Sequence, residues 1–144
     1  MRLFKGTSAW TRADPVGAYL VLVGIGYMAI GFSWALFPSH SRQAGIAWAP
    51  FITQSVVAML WALGGSMSLF TGLVAKAHRK WGFVGLQGVS LFLTLMFIVS
   101  TVLGMIPFGP PGRAESVITA ISYATFWASA WTVAQIPVTP TKGE

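Results

Sequence analysis

The sequence predicts an all-α fold: a four-helix transmembrane bundle with short loops and both termini in the cytoplasm, formed by the whole of 1–144 as one integral membrane domain. Three observations carry this. No charged side chain occurs from Gln43 to Ala75, and none from Trp81 to Gly112. Each run is long enough to cross the ~30 Å hydrocarbon core of a bilayer. Between them lies Lys76-Ala77-His78-Arg79-Lys80, which cannot cross and so must sit in water, and cations in a short loop mark the cytoplasmic side. The composition agrees: 55% hydrophobic, 8% charged and a mean hydropathy of +0.70, against about 25% charged residues in soluble domains. The net charge of +6 reads as topology signals and headgroup contacts, with Lys76, Arg79 and Lys80 foremost, and not as a nucleic-acid surface.

Taken in order, the chain opens on a cationic lead-in with Arg2, Lys5, Arg12 and an interfacial Trp10. Asp14-Pro15 then signals a helix start, because the carboxylate can cap free amides and proline has no amide to leave unsatisfied. The first span, 16–37, carries Gly17, Gly24, Gly26 and Gly31, which either admit a close neighbouring backbone or reflect the ordinary glycine content of membrane helices. It is too long for a cleaved signal segment. A turn with His40, Arg42 and Trp48 follows on the outer side, with part of 43–49 lying along the surface, and Pro50 restarts the helix.

The second span, 51–75, places Gln54, Ala58, Trp61, Gly65, Ser68 and Gly72 at alternating steps of four and three, hence on one face. Gly64, Ser68 and Gly72 add a ladder of small residues suited to helix packing. Trp61 falls near mid-membrane, where its indole N–H needs an acceptor and favours an inward direction. The third span, 81–105, carries a stripe of Gln87, Ser90, Thr94 and Thr101 interrupted by Phe97. Gln87 is expected to hydrogen-bond across to the Ser68–Gly72 region, because the short loop makes spans two and three antiparallel neighbours. Prolines stiffen the outer turn, Arg113 and Glu115 precede the fourth span, and Ser116, Ala120, Ala124, Ala128 and Thr132 repeat every four residues along 116–136. That stripe is the main predicted packing surface. Seven of the nine cations then fall inside, and Arg42 and Arg113 outside.

Chemistry is sparse. There is no phosphate loop, nucleophile elbow or H-E-x-x-H, and zero cysteine removes thiolate chemistry and disulfides. His40 and His78 fall in loops on opposite sides, unsuited to an axial haem pair. No acidic residue lies inside a span to mark a proton path, Glu115 being the nearest. The expectation is no enzyme, no cofactor, no metal and no small-molecule ligand. Gln54, Gln87 and Thr94 are the intramembrane polar residues of interest.

In size, span count and its alternation of glycine, tryptophan and small polar residues, the chain resembles the small four-span membrane proteins of actinobacterial bacteriophages, some of them holins. Its tail holds only Lys142 and Glu144, where many holins end in a charge-dense segment. Two roles remain. One is an accessory or interaction subunit of a bacterial cytoplasmic membrane, acting through helix packing with a larger membrane partner or with its own copies. The other, which the resemblance implies, is a permeabilising or pore-forming protein; a small transporter ranks third.

Overall fold

The computed structural model describes residues 14–74, 78–107 and 116–136. The lead-in through Ala13, Lys76, the Arg113 and Glu115 neighbourhood and the tail from Pro137 lie outside them. Five helices form among the described residues: α1 (Pro15–Leu36), α2 (His40–Ile46), α3 (Gln54–Val74), α4 (Arg79–Gly104) and α5 (Ser116–Ala134). All but α2 are long and apolar enough to cross a membrane, and they pack as a bundle. The protein is a multi-pass membrane protein. Large apolar side chains such as Leu22, Phe32, Leu63, Phe70, Leu95 and Ile118 face outwards from it, as a bundle in lipid requires.

The first three helices start where the sequence supplies a cap. Asp14 accepts from the amide of Gly17 at 3.0 Å with Pro15 at the first position. Ser39 starts α2 by accepting from Arg42 N at 3.3 Å. In α3 the start falls at Gln54 and not at Pro50, because the Thr53 hydroxyl accepts from Val56 N at 3.3 Å and leaves 47–53 as turns. α2 turns one face inwards and leaves His40, Gln43 and Ala47 exposed. Ile46 is buried, and Gly45 passes so close to the Phe97 ring that a Cβ would lie 2.7 Å from it.

The tightest seam joins α1 to α3. Gly17 meets Gly72, Gly24 meets Gly65, and Gly31 meets Ala58, in pairs that step by seven residues in opposite directions. A Cβ on Gly24 would sit 2.8 Å from the Gly65 carbonyl oxygen, and one on Gly65 would sit 2.7 Å from that of Gly24. Backbone cannot yield as a side chain tip can, so glycine is required at this crossing. Across the seam Ser68 Oγ donates to the Leu20 carbonyl at 2.8 Å. The sevenfold repeat is the 3.5-residue period of a left-handed supercoil.

The middle of the bundle is aromatic. Trp61 is fully enclosed, with the Tyr27 ring edge-on at 4.5 Å and Tyr123 at 5.4 Å, and Phe97 continues the cluster 5.5 Å from Tyr123. Four spans thus meet at one level. Trp61 points inwards, yet its Nε1 has no acceptor among the described residues. Tyr27 ties α1 to α4 through the Ser90 hydroxyl and, at 3.4 Å, the Leu86 carbonyl.

On α5 the fourfold stripe does not stay on one side. Ser116 and Ala120 are buried, Ala124 is half-buried, and Ala128 and Thr132 are exposed. A step of four residues overshoots a turn by about 40°, so five such positions drift about 160° around the helix. The face that does point inwards is Ser116, Ala120, Tyr123, Trp127 and Ala130, whose alternating steps of four and three cancel the drift. Only 17% of the apolar window of α5 is buried, against 44% in α3 and in α4.

Candidate functional site

The residues singled out in the sequence do not converge. Gln54 opens α3 at the Arg42 end, where its Nε2 donates to the Ser39 carbonyl at 2.9 Å. Thr94 bonds its own helix, donating to Ser90 O at 2.7 Å. Gly64 faces Val89 and Gly85 of α4 while Gly72 faces α1, so that small-residue ladder serves two different neighbours. Ser116 Oγ meets Ser100 Oγ at 3.2 Å, joining α5 to α4. These side chains hold helices together at separate levels.

Arg42 was read in the sequence only as a marker of the outer interface, and it proves to be a helix cap. Its guanidinium donates to the Ser33 carbonyl at 3.0 Å and to the Ser33 hydroxyl at 3.1 Å, and lies 5.1 Å from the Trp34 ring centroid. A cation on the last carbonyls of α1 also suits the negative end of its dipole.

At the opposite end, where α1 and α4 both begin, charge and cavity coincide. Arg79 is the first residue of α4 and only 7% exposed. Its Nη2 pairs with Asp14 Oδ2, while the other oxygen of that carboxylate caps α1. Gly17 makes room for the pair, since a Cβ there would lie 2.8 Å from Arg79 Nη2. Most of the Arg79 side chain, read in the sequence as a headgroup contact, is turned into the protein against Asp14. A cation at a helix start opposes the dipole, and the carboxylate offsets that cost. Arg79 Nε is buried and has no partner among the described residues.

Beside this pair opens a cleft of about 420 Å³ between α4 and the end of α5. Arg79, Lys80, Gln87 and Gln135 supply its polar part, and Phe83, Val84 and Trp131 much of its apolar wall. Lys80, Phe83, Val84 and Gln87 recur at helical spacing and so form one stripe of α4. This corrects the expected partner of Gln87. Instead of bonding the Ser68–Gly72 region it lies half-buried in this cleft, with no hydrogen bond to any described residue. Ser68 has already committed its hydroxyl to Leu20, and Thr71 bonds carbonyls of its own helix. The cleft went unrecognised in the sequence because its walls are about 50 residues apart along the chain. One signal was there: Asp14 is the only carboxylate before Glu115, and the topology puts it at the same end as the basic loop.

Comparison with protein-family models, with curated proteins and with solved structures found no match to this chain.

Proposed function

We propose that this protein is an accessory subunit of a bacterial cytoplasmic membrane, acting by packing against a helix of a larger membrane protein through the outer face of α5. The observation that carries the reading is the burial of α5. It is the least covered span, and its outward side presents Ala128 and Thr132 with Thr125, beside Ile118 and Ile121. The threonine hydroxyls are already bonded to carbonyls of their own helix at 2.9 Å, so the ridge is smooth and self-satisfied. Such a surface supports close helix approach in lipid, where packing and not the hydrophobic effect drives association.

The interior supports the same reading over a pore. Ser68, Ser90, Thr94 and Ser100 are buried and bonded within the bundle, and the aromatic cluster fills its middle. Lining a lesion with these stripes would require spans two and three to part from their neighbours.

The test is expression in a bacterium of a variant with Ala128→Cys, in a chain otherwise free of cysteine, with a potential-sensitive dye present. The expected result is an unchanged membrane potential and a crosslink at Ala128→Cys to a second membrane protein, with none from Leu22→Cys on the outer side of α1. Abrupt depolarisation would move the protein to the permeabilising class, and a self-linked dimer would replace the accessory role by self-assembly.

A further inference from the structure

We propose that the cleft beside Arg79 holds one anionic phospholipid, with its phosphate at Arg79 and Lys80 and an acyl chain along Phe83, Val84 and Trp131. The inference stands on the cleft alone and is independent of what packs on α5.

Charge is the first argument. Arg79 is more than nine-tenths buried and spends one nitrogen on Asp14, which leaves Nε, a buried donor without a partner, in a side chain that lines the cleft. A buried donor left unmade is costly, and a phosphate against the cleft side of the guanidinium would offset part of that cost through its charge. Lys80 on the same rim makes no ion pair among the described residues and lies 5.9 Å from the Trp81 ring centroid. Among the described residues no acid lines the cleft, and Asp14 beside it is already engaged twice. Among the described residues, an anion is what this cleft lacks.

Shape is the second argument, and it selects a lipid over a free anion. Below the cations the wall becomes apolar with Phe83, Val84 and Trp131, and Val84 and Trp131 are each half exposed. A small hydrophilic anion would use only the rim. Gln87 lies two turns below Lys80, about 10 Å along the axis, and its half-buried amide has no protein partner. Trp131 on the facing wall is half exposed, as an indole at the headgroup boundary is expected to be.

The experiment uses the full chain in detergent micelles, with retention of lipid read by native mass spectrometry and by thermal melting. The probes are dioleoylphosphatidylglycerol, dioleoylphosphatidylcholine and inorganic phosphate. Phosphatidylglycerol is expected to be retained one per chain and to raise the melting temperature, while the other two do neither. Lys80→Gln should weaken phosphatidylglycerol binding about fivefold, the worth of one cation at a charged lipid surface. Val84→Trp fills the apolar wall at an exposed position while leaving both cations, and it should weaken binding at least as much. Equal retention of phosphatidylcholine, equal stabilisation by inorganic phosphate, or undiminished binding by folded Val84→Trp would each overturn the proposal.

Discussion

At the scale of single residues, the fold turns on which glycines meet another backbone. Gly24 and Gly26 sit two positions apart on α1 and look alike in the sequence, but a Cβ on Gly24 would strike α3 backbone and one on Gly26 would meet nothing within 4 Å. Gly24→Leu should therefore force the α1 and α3 seam apart and lower stability by about 1 to 3 kcal/mol or more. Gly26→Leu should leave the melting transition in detergent where it is, or raise it slightly through better helix propensity. Equal effects would mean that the seam is not the tightest contact of the bundle. The distinction was hidden in the sequence because glycine on a membrane helix has two ordinary meanings. Its partner helix, and not its own neighbours, decides between them. The pattern becomes legible only when Gly17, Gly24 and Gly31 are set against Gly72, Gly65 and Ala58 in antiparallel register.

At the scale of elements, the difference between α3 and α5 shows which sequence patterns can be trusted. Gln54, Ala58, Trp61, Gly65, Ser68 and Gly72 alternate steps of four and three, and all six are buried. Their mean period of 3.5 stays close to the 3.6 residues of a helical turn. The fourfold stripe of α5 has no such correction and winds from the core to the lipid face. The same helix thus offers an internal control. Ala120→Leu should overpack the contact with α4 and lower stability by about 1 to 3 kcal/mol, whereas Ala128→Leu should leave detergent melting unchanged and remove any crosslink made from that face. Loss of stability from Ala128→Leu would place this position in a contact within the bundle. The cleft lies beyond both patterns, because periodicity reports which face of a helix is covered and not where two covered faces stop short of each other. Lys80, Phe83, Val84 and Gln87 are visible as a stripe in the sequence, but the opposite wall comes from the end of α5.

At the scale of the whole molecule, the two ends differ in charge. Among the described residues the Arg79 end gathers Asp14, Arg79, Lys80 and the close of α5 and the other end holds Arg42; the sequence reading assigns Arg2, Lys5, Arg12, Lys76 and Lys142, with Glu144, to the first side and Arg113, with Glu115, to the second. The positive-inside rule predicts that the Arg79 end faces the cytoplasm, the side whose anionic lipids would feed the cleft. His78 and His40 are both exposed and lie at opposite ends of the bundle, and the chain contains no cysteine to confuse a label. In intact bacteria, a membrane-impermeant maleimide added outside should label His40→Cys and leave His78→Cys unmodified until the membrane is opened with detergent. The reverse pattern would invert the molecule and remove the supply of inner-leaflet lipid. Labelling of both positions in otherwise sealed cells carries a different meaning, because reagent can reach the inner end only through a leak. That outcome would favour a permeabilising protein over an accessory subunit, and it would separate the two roles without knowledge of any partner.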